Sequence, residues 1–155
     1  MVCFLLFSAS AFSGSHRGSV SELVGEVVEA AIKDVLTDGK VSFRETKRAE
    51  PIAGFDQAPD FIIPDELNPV ARIEANSQSM TARAATSWTV FSVLRTLRDQ
   101  AGHTYDVIAC IAGRGFKVRR EDMWRLLQAT DGKVFTLTAM RLLIEQTRIR
   151  EYRTR

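Results

Sequence analysis

The first sustained pattern along the chain places apolar residues at Leu23, Val24, Val27, Val28, Ala31, Ile32, Val35 and Leu36, the spacing of one helical face. Ser19 or Ser21 can cap its start, and Asp38-Gly39 closes it, because glycine readily takes the left-handed conformation that follows a helix. Val41 to Arg44 alternates briefly, and the polar stretch from Lys47 to Asp56, with Pro51 and Gly54, reads as a loop. Phe61-Ile62-Ile63 and Val70 to Ala75 are strand signals on either side of the turn chemistry of Asp65-Glu66-Leu67-Asn68-Pro69, so together they predict a β-hairpin. Residues 77–93 show no amphipathic period, whereas Val93 to Leu97 and the following Arg98 to Gly102 predict the end of a helix. Asp106 to Ala112 is a near-continuous apolar run of the length of a buried strand. Glu121 to Gln128 predicts a short amphipathic helix, and Asp131-Gly132 a turn. Val134 to Leu137 predicts an extended segment, and Thr138 the cap of a last helix through Met140, Leu143, Ile144 and Thr147. Helix, hairpin, helix, strand and helix, without an internal repeat, predict an α/β domain with one mixed sheet.

A chain of 155 residues suffices for one domain with a proper core. At 45% hydrophobic and 26% charged residues, with 9 Gly and 4 Pro, the composition excludes disordered, collagen-like and coiled-coil classes. The 21 basic and 19 acidic residues leave a net charge of +2, too small to imply a nucleic-acid partner by itself. The distribution is uneven, however. Arg114, Lys117, Arg119, Arg120 and Arg125 form one basic cluster, and Arg141, Arg148, Arg150, Arg153 and Arg155 form another; on charge alone both read as solvated surface. Cys3 and Cys110 are too few for a disulfide framework and lack partners at zinc-ligand spacing, and Cys110 reads as a buried, inert thiol. Residues 1–17 hold the apolar run Val2 to Phe12, with no basic residue before it. They read as a secretory signal, a non-native start, or an element packing on the core, with the domain proper spanning 18–155.

Three acidic features carry candidate chemistry: Asp60 in Pro59-Asp60-Phe61, Glu74 in Ile73-Glu74-Ala75-Asn76, and Glu22 or Glu26 on the first helix. A carboxylate at a strand end is ordinarily a solvated terminus or a turn former. An antiparallel pair can nonetheless bring residues distant in sequence to adjacent positions, and two converging carboxylates with water would hold a hard cation such as Mg²⁺.

Pro59-Asp60, followed after a hairpin by Ile73-Glu74-Ala75-Asn76, resembles the signature of the PD-(D/E)XK nucleases, the superfamily of many type II restriction endonucleases. Tyr105-Asp106-Val107-Ile108, the Gly113-Arg114-Gly115-Phe116 turn, the Arg-rich helix after it and Asp131-Gly132-Lys133-Val134 are similar to the same group, so the resemblance spans roughly residues 18–147. It implies a restriction-endonuclease-like α/β fold, a mixed central sheet flanked by helices, in a cytoplasmic DNA endonuclease that requires Mg²⁺, dimerises and has no membrane association. It also implies Asp60 and Glu74 as metal ligands, with Glu22 or Glu26 as the helical acid completing the site. The basic last third would then meet phosphates, which position a duplex without reading its sequence.

Where the family pattern has a lysine that positions or activates the attacking water, this chain has Asn76. Asn76 therefore stands at a catalytic position with a dipole and no charge, which places activity in question. In the group resembled, Glu-Ala-Lys is followed by a stretch similar to Leu-Thr-Glu-x-Asp-Gly-Thr-x-Arg-Asp-Lys and then a helix. An allowed coding of Asn76 to Ser92, displaced by one base, translates as Leu-Thr-Glu-His-Asp-Gly-Thr-Gly-Arg-Asp-Lys-Leu-Asp-Arg-Phe-Gln. Residues 76–93 are accordingly read as a frame-shifted insert, with Asn76 where a Lys codon was damaged. Two readings of other classes stand beside the nuclease: a non-catalytic DNA-binding or interaction protein that keeps the fold, and a small secreted protein. His103 and His16 read as surface residues, Trp124 as core, and no P-loop, Rossmann glycine pattern or Ser/His/Asp signature is present.

Overall fold

The computed structural model describes residues 13–47, 50, 58–77, 84–102, 104–112 and 120–153. The apolar run 2–12, His103 and the Gly113-Arg114-Gly115-Phe116 turn lie outside them, as do the side chains of His16, Glu22 and Trp88. The chain forms α1 (Ser13–Asp38), β1 (Arg44–Glu45), β2 (Phe61–Ile63), β3 (Ala71–Ser77), α2 (Ala84–Gln100), β4 (Asp106–Ala112), α3 (Arg120–Ala129), β5 (Val134–Thr136) and the short α4 (Leu142–Glu145). Among the described residues the sheet is five-stranded, in the order β1-β2-β3-β4-β5. β1, β2 and β3 pair antiparallel, whereas β3 with β4 and β4 with β5 run parallel, so the sheet is mixed.

Its core divides by face. Val28, Ile32 and Leu36 of α1 pack with Phe61, Ile63, Ala71, Ile73, Ile108 and Cys110. Phe91 and Leu94 of α2 and Leu126 of α3 pack with Val107, Ala109 and Ile111. β4 thus supplies alternate residues to opposite layers, which is why its sequence is an uninterrupted apolar run. The parallel crossovers place α2 and α3 on one face and leave the other to α1, where α4 closes over the C-terminal end of α1 through Leu143 and Ile144.

The expected hairpin forms between β2 and β3, with Phe61 opposite Ile73 and Ile63 opposite Ala71. Its turn is organised by Asp65, whose Oδ1 accepts the N–H groups of Leu67 at 2.9 Å and Asn68 at 3.2 Å. Five expectations are corrected. α1 begins at Ser13, six residues or more before the expected caps, so Ser19 and Ser21 lie inside the helix. At its C-terminus Lys40, not Gly39, takes the left-handed conformation (φ 53°), while a Cβ on Gly39 would meet Ile144 Cδ1 at 2.2 Å. Gly39 is therefore needed for a close approach to α4. The segment without period becomes helical from Ala84, and its residue Phe91 is buried together with Leu94 and Arg98 further along the same helix. Arg98 is buried on ion pairs with Asp99 and Asp131, so burial there leaves no apolar signal. Finally, the last helix breaks into a 3-10 turn (Leu137–Ala139), α4 and a second 3-10 turn (Arg148–Tyr152). Trp124 is 62% exposed rather than core, since α3 buries Leu126 and Ala129 and position 124 lies about 200° round the helix from Leu126.

Candidate functional site

β3 outruns its antiparallel neighbour. The β2 pairing ends at Phe61 opposite Ile73, while β3 continues through Glu74, Ala75, Asn76 and Ser77 with only β4 beside it among the described residues. By that register Asp60 stands opposite Glu74. Asp60 is the residue from which the chain enters β2, and its carboxylate takes over the ladder: Asp60 Oδ2 accepts the Ala75 N–H at 2.7 Å. In the reverse direction the Glu74 carboxylate accepts the backbone N–H of Asp60. On the outer side Asp60 C=O accepts from Thr46 N–H at 2.9 Å, which fixes the end of β1 against it. The two carboxylates expected to converge are thus neighbours in the opening between β2 and β3.

Their surroundings disfavour two negative charges. Burial pushes the Asp60 carboxyl up to about 6, opposed by the Ala75 hydrogen bond and reinforced by the charges of Glu29 and Glu45. Glu74 is held well above the usual carboxylate range by burial first, then by the Asp60 charge, with the Asp60 N–H opposing and Glu29 adding to the rise. Glu74 Oε2 is fully enclosed and accepts no hydrogen bond. A buried, unsatisfied carboxylate oxygen beside a second carboxylate is an arrangement that a divalent cation would relieve, and these oxygen donors suit Mg²⁺. Among the described residues no group of three or more His, Cys, Asp and Glu side chains is placed to hold a metal. Such a cation would therefore take Asp60 and Glu74 from the described protein and complete its shell with water.

The acidic residue of α1 that bears on this pair is Glu29. Glu26 is exposed, while Glu29 is half-buried and its charge is felt at both Asp60 and Glu74. The helical register explains the difference: Glu29 follows Val28 and lies one turn before Ile32, on the flank of the stripe that packs on the sheet. Glu26 points away from it. The helical phase of the buried stripe was the signal that could have singled out Glu29. Glu22 lies on α1 two turns earlier, its side chain outside the described residues. Asn76 is half-buried on β3, two residues beyond Glu74 and hence on the same side of the strand.

Comparison with protein-family models, curated proteins and solved structures found no match. The site's own chemistry has to carry the functional reading. Cys110, buried in β4 as expected, has its thiol pushed up by burial and by the Asp60 charge, which keeps it an inert thiol behind the site. No helix among the described residues is long and apolar enough to cross a membrane.

Proposed function

We propose that this chain is a Mg²⁺-dependent endonuclease-like protein of the PD-(D/E)XK kind, acting on DNA phosphodiester bonds through a restriction-endonuclease-like form of the α/β fold, with activity lowered by Asn76. The observation that supports this reading best is the cross-strand meeting of Asp60 and Glu74, each hydrogen-bonded to the other's strand, with Glu74 Oε2 left without a donor. The β2–β3 register brings the two halves of the sequence signature opposite each other, and the buried oxygen left without a donor is what points to a ligand there.

A divalent cation in this site supplies charge stabilisation for a phosphorane-like transition state and a nucleophile near neutral pH. Asp60 and Glu74 would hold that cation, with Ala75 N–H and Asp60 N–H fixing the two carboxylates in place, and Glu29 would add negative charge that favours a cation over a proton-free empty pair. Asn76 offers hydrogen bonds and no charge where developing oxyanion charge needs neutralising. DNA binding without cleavage is the second reading, and the same Asn76 favours it.

Nicking of supercoiled plasmid in Mg²⁺ tests the proposal on the full chain, with Asp60→Ala and Asn76→Lys variants. The expected result is slow, EDTA-sensitive nicking by the wild type, none by Asp60→Ala, and a rise of about 10- to 100-fold in Asn76→Lys, the scale of one transition-state contact. Nicking that persists in Asp60→Ala removes the site, and DNA retardation without nicking in all three supports the binding protein.

A further inference from the structure

One row of residues crosses the sheet at the site. The register sets Glu45 opposite Phe61 and Phe61 opposite Ile73, so one position further along the row Thr46, Asp60 and Glu74 stand side by side. Thr46 is half-buried there and makes two kinds of contact. Its N–H donates to the Asp60 carbonyl at 2.9 Å, a bond that any residue but proline could make. Its hydroxyl donates to the Pro59 carbonyl at 2.5 Å and lies 3.4 Å from the Asp60 carbonyl, and these contacts depend on the side chain. The Pro59 carbonyl and the Asp60 N–H belong to one trans peptide group and point in opposite directions, the carbonyl to Thr46 on the β1 side and the N–H to the Glu74 carboxylate on β3. One rigid plane thus carries a hydrogen bond at each end, and the donor on its carbonyl strengthens its N–H toward Glu74.

We infer that Thr46 is the positioning residue of the carboxylate pair: its hydroxyl, acting through the Pro59–Asp60 peptide, fixes both the bearing of the Asp60 carboxylate and the N–H that holds Glu74. The inference rests on the cation-binding part of the reading above. Pro59 is buried and its ring locks its own φ, so the freedom left to this peptide is rotation about its two flanking bonds, which the Thr46 hydroxyl opposes. That rotation would turn the Asp60 N–H off the Glu74 carboxylate. It would also redirect the Asp60 side chain, whose Oδ2 now meets the Ala75 N–H at 2.7 Å. Threonine suits the position because branching at Cβ restricts χ1 and so holds the hydroxyl at one bearing from the strand. β1 is two residues long, and this hydroxyl at its end ties the sheet edge to the site.

Mn²⁺ binding to the full chain, followed by electron paramagnetic resonance, and hydrogen exchange of the Asp60 amide in EDTA test this with Thr46→Val, Thr46→Ser, Asp60→Ala and Asp106→Ala. Thr46→Val keeps the shape and the main-chain N–H and removes the hydroxyl alone. The expected result for Thr46→Val is Mn²⁺ affinity weaker by about 10-fold or more and Asp60 amide exchange faster by about 10-fold or more. Thr46→Ser keeps the hydroxyl and is expected within about threefold of wild type in both. Asp106→Ala, which loosens the far end of the sheet, is expected to keep the wild-type Mn²⁺ affinity. Thr46→Val binding Mn²⁺ like the wild type, where Asp60→Ala binds none, overturns this inference alone. Equal losses in Thr46→Val and Thr46→Ser assign the side chain a packing role, and an equal loss in Asp106→Ala traces the effect to general loosening; either overturns it as well. A wild type that binds no Mn²⁺ overturns the cation-binding reading and this inference with it.

Discussion

Asp60 and Glu74 hold each other's strands: the Asp60 carboxylate accepts the N–H that follows Glu74, at 2.7 Å, and the Glu74 carboxylate accepts the N–H of Asp60. This reciprocal arrangement closes the end of the β2–β3 pair with side chains where main chain would ordinarily pair. It also confines two carboxylates in one buried space, and the first prediction follows from that.

Both carboxyl groups bind a proton more tightly in the folded chain than in the unfolded one, Asp60 with its value moved from 3.8 to about 6. The folded state then binds more protons than the unfolded state across that interval, so stability is greatest below it and falls as pH rises through it. In EDTA the loss attributable to Asp60 is on the order of 2 kcal/mol between pH 4 and 6. Asp60→Asn and Glu74→Gln remove the repulsion, so both variants are expected to be more stable than wild type at pH 7 and unable to bind Mn²⁺. Urea denaturation across this range checks it. A wild-type profile parallel to that of Asp60→Asn contradicts the assigned coupling, and Mg²⁺ is expected to flatten the wild-type profile.

Asp106 opens β4 at the end of the sheet opposite to Asp60 and Glu74, and it anchors the C-terminal segment. Its Oδ2 accepts the Arg148 N–H at 3.0 Å, and its Oδ1 lies 3.5 Å from Lys133 Nζ and 3.9 Å from Arg148 Nε. Asp106→Ala leaves a part-buried N–H without its acceptor and Lys133 without its carboxylate, while Arg148 Nη1 keeps the Thr104 carbonyl, and the expected destabilisation is about 1 to 2 kcal/mol with Mn²⁺ binding unchanged. Urea denaturation gives the first quantity and metal titration the second; a parallel loss of both would tie this end of the sheet to the metal site.

Gly39 has no room for a methyl group because Ile144 Cδ1 occupies the position of its Cβ. Gly39→Ala is expected to destabilise the chain by about 1 to 3 kcal/mol, and Ile144→Val in the same chain to recover part of that. A double-mutant cycle on thermal unfolding measures the coupling, and an additive result would show that the helix end, not the contact, limits this position.

The frame-shift reading of residues 76–93 makes a prediction about the gene. Resequencing is expected to find a single-base shift near codon 76 and a compensating one near codon 93, restoring Lys at position 76. A coding sequence in which no such shift restores the motif rejects it and leaves Asn76 as the native residue.

Much of the architecture was legible because it depends on local periodicity. The apolar run Asp106 to Ala112, the hairpin around Asp65 and the stripe Val28, Ile32, Leu36 each announce their burial through spacing alone. α2 was legible only towards its C-terminal end, where Arg98 nonetheless takes a core position by pairing with Asp99 and with Asp131, 33 residues away; its start at Ala84 falls in the stretch without amphipathic period. The break of the last helix and the exposure of Trp124 likewise depend on what α3, α4 and the sheet leave room for.

For the site, the chain order supplied Asp60, Glu74 and Asn76, since strand and turn signals mark where each half of the motif falls. That Glu29 joins them and that Glu26 does not were decided by the tertiary structure. The physical reason is that spacing determines which side of an element a residue occupies, whereas the charges it meets there depend on how α1 lies across the ends of β1, β2 and β3.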